Sequence, residues 1–345
     1  MNRARTLTIL LLMASALPVA GQARRYTITD LGTLGGDRSN AVSINNAGRI
    51  VGKAETADGN THAFLVQDGV MIDLGTLGGK QSEAMRISDS GVVIGRAQAA
   101  DGTFHSFVSL GGSELWDISA IDDRLKDRFS VAVGINSAGH VVGYVQTHTE
   151  HMAARTRVFL FRDFRITDLG TFGGEDGVVA AINDAGDVVG YFGLEPHADY
   201  ADHRGALMSN GVVTNLGSLG GRITTPTDLN NSKNVVGFAQ LKNGEDHAFL
   251  YSAGRLLDLG TLPGGSQSFA YAINDKNQIV GAANGHTLDL RAVLFENGRV
   301  IDLNALLPDN SGWVLTEARD INDRGQIVGT GVINGRQRAF LLTPP

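Results

Sequence analysis

Histidine is the side chain whose charge changes near neutral pH without special surroundings, and four of this chain's nine fall in two neighbouring stretches. His148 and His151 lie in 147–155 beside Glu150, and His197 and His203 lie in 194–204 with Glu195, Asp199, Tyr200 and Asp202. Tyr144 and Tyr191 precede these stretches at matching positions, and His286 lies near Asp289 in a third. Imidazoles and carboxylates on adjacent loops suit a divalent metal, acid–base catalysis or hydrogen bonding to a ligand. His148-x-x-His151 on a loop lacks the helical register of a metalloprotease motif. Three readings therefore stand: a solvated elaboration of the surface, a small-molecule or glycan contact site, and a catalytic or metal site. The candidate ligand-binding residues are Tyr144, His148, His151, Tyr191, His197, Tyr200 and His203. No residue is assigned as catalytic, no cofactor is expected, and the metal question is open.

Other chemistries are poorly supported. The chain has no cysteine, which removes disulfides, thiol catalysis and thiolate metal sites. Gly75-Thr76-Leu77-Gly78-Gly79 is followed by no Lys-Ser/Thr and so is not a phosphate loop. No Gly-x-Ser-x-Gly elbow occurs. Trp116 and Trp313 are the only tryptophans, too few for an extended aromatic platform.

Loops of this kind need a scaffold, and here it is a repeat. Near-copies of Asp73-Leu74-Gly75-Thr76-Leu77-Gly78-Gly79 begin at Asp30, Asp73, Asp117, Asp168, Asn215, Asp258 and Asp302. A period of this size means a propeller or a solenoid. Each unit reads as four strands. The first is short and apolar, as in Ser39–Ile44, and is followed by Asn45-Asn46-Ala47-Gly48, which has the chemistry of a hairpin with a left-handed glycine. Lys233 stands at that glycine position in unit five and does not fit the pattern. The second strand is Ile50-Val51-Gly52, and its glycine recurs at spacings of 43, 48, 47, 47, 44 and 48 residues. Glycine inside a strand marks a bulge or a close backbone approach, and packing of neighbouring sheets is the expected reason. The third strand is His62-Ala63-Phe64-Leu65, headed elsewhere by His105, Arg157, His247, Arg291 and Arg338, while unit four departs with Gly205-Ala206-Leu207-Met208. The fourth carries the Asp-Leu-Gly element. Histidine exchanging with arginine at one position reads as a hydrogen-bonding post, and the recurring aspartate as a satisfier of turn amides.

The ends decide between the two architectures. The chain after the leader opens on a lone fourth strand, 26–31, and closes on a lone third strand, 339–342. A solenoid gains nothing from this offset, whereas a ring uses it to join its ends and hide its edges. The expectation is all-β: a seven-bladed β-propeller with four antiparallel strands per blade, closed by the N-terminal strand completing the last blade. A parallel β-helix is the alternative, disfavoured because hairpins demand antiparallel neighbours. In such a meander the loops between strands two and three share a face with the blade-to-blade connections, so the long loops of units three and four lie together. The central channel is the place to look if they bind nothing.

The 345 residues are 42% hydrophobic and 19% charged, with 45 glycines, which suits a turn-rich globular chain. Residues 1–23 read as a cleaved signal peptide, with Arg3, Arg5, an apolar run from Leu7 to Leu17 and a small-residue exit. That leaves 24–345 as a single propeller domain. The net charge of -7 becomes -9 without the two leader arginines, which disfavours nucleic acid or an anionic bilayer as partner. We expect a secreted or periplasmic bacterial protein, monomeric, with an extracellular or periplasmic ligand of unknown identity.

The triplets His62-Ala63-Phe64 and His247-Ala248-Phe249, with the Asp-Leu-Gly-Thr-Leu-Gly-Gly and Ile-Asn-x-x-Gly-x-Val-Val-Gly elements, resemble the bacterial extracellular HAF-repeat family. The resemblance covers nearly everything after the leader. It implies secretion and brings no catalytic residue with it. Unit three is the most divergent, with Asp117-Ile118-Ser119 and a longer stretch of mixed charge, 122–128. The combined expectation is a binding or interaction module for a glycan, peptide or small molecule. The alternative is a propeller enzyme, such as a glycan lyase or hydrolase, working from the unit-three and unit-four loops.

Overall fold

The computed structural model describes residues 25–112, 114–126, 128–149, 152–194 and 202–345, without the side chains of 148, 149 and 152–154. The fold is all-β, and the described residues include two short 3-10 turns, Ser119–Ile121 and Leu303–Leu306. No helix among the described residues is long and apolar enough to cross a membrane. The expected hairpins are present, and they run longer than their apolar centres. Unit one is Gly35–Ile44, Ile50–Thr56, Thr61–Gln67 and Val70–Asp73, each antiparallel to the next.

Three sheets are plain four-stranded meanders. One comprises Ser130–Ile135, Val141–Thr149, Met152–Arg162 and Arg165–Gly170, and another Ser268–Ile273, Ile279–Ala283, Arg291–Glu296 and Arg299–Asp302. The third joins the two ends of the chain: Trp313–Ile321, Ile327–Ile333 and Arg336–Thr343 are completed by Thr27–Asp30, with Thr27 opposite Thr343 and Asp30 opposite Phe340. The remaining strands form two eight-stranded sheets. In each, two antiparallel groups of four meet through one parallel bridge, Thr61 to Gln81 in the first and His203 to Ile223 in the second.

The repeat phenylalanine explains much of the core. Phe64, Phe107, Phe159, Phe249 and Phe340 are fully buried, each directly opposite the second-strand glycine of its own unit. A Cβ added to any of those glycines, from Gly52 to Gly329, would fall onto a carbonyl oxygen of the first strand. That strand bulges opposite the glycine, with register shifts between Ala41 and Ser43 in unit one and between Ala84 and Arg86 in unit two. The glycine thus serves a bulge within its own sheet. This corrects the expectation of close packing between sheets. Unit four has Ala206 opposite Gly190, and there Phe172 of the preceding connection brings its ring over the glycine instead.

The hairpin asparagines do more than shape their own turns. Asn45 Oδ1 accepts from Arg49 N at 2.9 Å, while its Nδ2 donates to the carbonyl of Ser88 in the next unit at 2.9 Å. Equivalent bonds run from Asn136 to Asn183, Asn183 to Asn230, Asn230 to Asn274 and Asn274 to Asn322. Lys233 occupies the left-handed hairpin position with φ +61°, and its Nζ reaches Asp187 Oδ1 at 3.2 Å and Ser209 Oγ at 2.9 Å. These contacts offset the backbone strain that the sequence left without an account.

Candidate functional site

The groups that recur in every unit are engaged in holding the scaffold. The fourth-strand Asp or Asn accepts a hydrogen bond from the backbone N–H two residues on in all seven units, at 2.7–2.9 Å, as a turn-satisfying role requires. In units one, two, three and five the post at the head of the third strand bonds to that same carboxylate. His62 Nδ1 lies 2.9 Å from Asp73, His105 Nδ1 2.8 Å from Asp117 and His247 Nδ1 3.0 Å from Asp258, and Arg157 reaches Asp168 at 2.9 Å. Chemistry specific to this chain must therefore come from residues that depart from the repeat.

The clearest departure among the candidate residues is at the junction of units four and five. Strand pairing places Arg204, opposite Phe192, where the other units have His62 or Arg157, and its fourth-strand partner position holds the neutral Asn215. Without a carboxylate there, Arg204 bonds instead to the carbonyls of Arg222 and His203. His203 turns Nε2 to Thr225 Oγ1 of the next unit at 2.6 Å, and its ring lies 4.5 Å from that of Tyr191. Arg222 pairs with Asp202 at the rim. Nearby, Asp246 is held above the usual carboxylate range by burial, against the pull of His247 and His203, and among the described residues its Oδ1 has no hydrogen-bond partner.

The other expected residues are not all brought to this cluster. Tyr144, opposite Val131, is half-buried against the core shared by units three and four, one junction away. His148 lies in the strand Val141–Thr149, and only its backbone is described. His151, His197 and Tyr200 lie outside the described residues. Among the described residues no group of three or more His, Asp or Glu side chains is placed to hold a metal ion.

A second constellation was not anticipated. Hairpin residues from all seven units line a cavity of about 200 Å³. One wall position comes directly after the first-strand bulge, where a bulge re-aims the side chain. It holds Ser43, Gly134, Ala181 and Ala272 in four units, but Arg86, Asp228 and Asp320 in the others. The guanidinium of Arg86 lies 3.4 Å from Asp228 and 3.6 Å from Asp320, so units two, five and seven meet there. Asp228 also accepts from Ile273 N and Asp320 from Ile44 N, at 3.0 and 2.9 Å. Burial pushes the Asp228 carboxyl up to about 6, with Arg86 pulling it down and Asp320 adding to the rise. Burial likewise raises Asp320, against Arg86. The signal was present in the sequence as three charged residues at a position otherwise held by small ones.

No family model and no curated protein matches the chain. Solved structures do. The β-propeller domain of the trilobed protease from Pyrococcus furiosus aligns with a TM-score of 0.56 at 10% identity, covering 75% of this chain and 82% of that one. A Mycobacterium tuberculosis puromycin-hydrolyzing peptidase gives 0.54 at 15%, covering 90% and 50%, and Pyrococcus horikoshii acylaminoacyl peptidase gives 0.55 at 11%, covering 92% and 53%. The chain spans about half the length of those two peptidases. At these identities the likeness shows the fold alone. The fold is that of a β-propeller.

Proposed function

We propose that this chain is an exported, monomeric propeller of HAF-type repeats, seven blades closed into a ring, that binds an extracellular ligand through the residues by which single blades depart from the repeat. The ring reading is supported by the pairing of Thr27–Asp30 with Arg336–Thr343 and by the bond from Asn322 to Asn45, which repeats the bonds between consecutive units. The net charge of the chain argues against nucleic acid and an anionic membrane as the ligand.

One observation carries the binding reading. At the junction of units four and five an imidazole, an aromatic face and a hydroxyl meet at half-buried positions beside Arg204, in the unit whose fourth strand carries Asn215 in place of the repeat's aspartate. Hydrogen-bond donors beside an aromatic face suit a glycan or a peptide, which presents both hydroxyl or amide groups and apolar faces. The second reading is a propeller hydrolase or glycan lyase. What favours it is the 2.6 Å separation of His203 Nε2 from Thr225 Oγ1, which is within reach for a base and a hydroxyl. A glycan and peptide array, run on residues 24–345 with turnover followed on every hit, tests both. Binding without turnover supports the module, and turnover lost in His203→Ala supports the enzyme. Hits that His203→Ala retains in full would remove this junction from either role.

A further inference from the structure

Arg124, Leu125 and Arg128, from the mixed-charge stretch that makes unit three divergent, form one side of a cavity. Its volume is about 150 Å³. The floor is apolar, made by Leu125, Val145, Val158, Phe159 and Ile166. Leu125, Val145, Phe159 and Ile166 continue the core between units two and three, and Val158 that between units three and four. Three arginines, Arg124, Arg128 and Arg157, stand around it.

Two of the three are neutralised. Arg124 grips Asp122 through Nε and Nη2 at 2.8 and 2.6 Å and also donates to the carbonyl of Ile166 at 2.7 Å. Arg157 holds Asp168 through Nε and Nη2 at 3.0 and 2.9 Å. Arg128 is half-buried, and among the described residues its guanidinium has no hydrogen-bond or ion-pair partner. Among the described residues Arg128 is thus the lining guanidinium left without a carboxylate, beside an apolar hollow. A guanidinium in that position presents a planar fork that matches a carboxylate, and a partly desolvated fork gains most from such a partner.

We propose that this cavity binds a small monocarboxylate with an apolar body, the acid on Arg128 and the body on the floor. The size sets the class: an apolar cavity of about 150 Å³ accepts a benzene ring in other proteins, so benzoate is the matching probe. Thr147, whose hydroxyl donates to Arg155 O at 3.2 Å, also lines the cavity. This site is separate from the unit-four junction and rests on different residues.

Calorimetric titration of benzoate into residues 24–345 tests it. One site per chain is expected, with benzyl alcohol, the uncharged counterpart, binding at least tenfold more weakly. Arg128→Gln should lose at least tenfold in benzoate affinity while keeping the parent's melting temperature, and Arg128→Lys should recover part of that loss. A crystal soaked in benzoate gives a readout independent of any variant, with the carboxylate expected against Arg128. The proposal is overturned if the folded parent takes up no benzoate at millimolar concentration. Equal affinities in Arg128→Gln and the parent, or benzoate bound only elsewhere in the crystal, would overturn it as well.

Discussion

Asn322 donates from Nδ2 to the backbone carbonyl of Asn45 at 3.0 Å, joining residues 277 apart in the chain. The bond has the same form as those linking consecutive hairpins, at 2.9–3.3 Å. A second tier repeats it: the backbone N–H of Asp323 reaches Asn46 Oδ1 at 2.9 Å, as that of Asn231 reaches Asp275 Oδ1. Both tiers lack the link from unit two to unit three, where Ser88 has no amide to donate and Ser137 has too short a side chain to accept.

If the first and last units meet as neighbours, the N-terminal strand is needed to cover the last sheet. Deleting 26–31 removes the buried Tyr26 and the partly buried Ile28 and Leu31, and bares the edge of Arg336–Thr343. At about 1.5 to 3 kcal/mol for each fully buried side chain, the loss is several kcal/mol. Thermal melting of the truncated protein should show a clear drop. An unchanged midpoint would sink the closure.

Much of this scaffold was legible because period and local chemistry agree. An apolar β-branched run followed by Asn-x-x-Gly specifies a hairpin wherever it occurs, and four exact copies with three variants set the unit. What could not be read was anything decided by which units become neighbours across the fold. The amide of Asn45 serving Ser88, and Arg86 meeting Asp228 and Asp320, depend on tertiary closure. The charges themselves were in view, but a charge on a strand says nothing of what it faces. Unit four shows the same limit, since Arg204 was hidden from the triplet pattern until strand pairing aligned it with His62.

The Arg86, Asp228 and Asp320 group should make stability depend on pH. Asp228 titrates at about 6 when folded against an ordinary 3.8, so the folded state holds an extra proton between those values. Stability from this group is fully present below about pH 4 and is lost as pH rises through 6, by about 3 kcal/mol at 1.36 for each pKa unit. Asp228→Asn keeps the side chain's shape and leaves Arg86 paired with Asp320 alone. It should therefore be more stable than the parent at pH 7 and similar to it at pH 4. Urea unfolding across that range checks this, and parallel pH profiles for the two proteins would contradict it.

Phe172 should behave as a repeat phenylalanine although it lies in a connection. Its ring covers Gly190, as that of Phe107 covers Gly95 in unit two, and it is 4% exposed. Phe172→Ala is expected to cost about 3 to 5 kcal/mol, the range for emptying a core aromatic site, and Phe64→Ala the same. Exposed Phe164, at 71%, is the control and should change stability by less than about 0.5 kcal/mol. A loss in Phe172→Ala no larger than in Phe164→Ala would mean that unit four closes over Gly190 in some other way.

The last prediction separates the structural histidines from the one proposed to bind. His62 and His203 are the same residue type near the same end of the third strand, yet His62 is committed to Asp73 within its unit and His203 to Thr225 across a junction. Breaking the first pair removes a hydrogen bond that also steadies the turn at Gly75, so His62→Ala should cost about 0.5 to 1.5 kcal/mol. It should leave ligand affinity unchanged, because that turn is repeated in every unit. His203→Ala removes a polar group and a ring face from the cluster with Tyr191, and a polar contact at a binding site is worth up to about tenfold in affinity. With a ligand from the array in hand, calorimetry on the two variants decides the matter. Equal affinities in His203→Ala and the parent would assign His203 to the scaffold with the others, and the search would move to the cavity around Arg86.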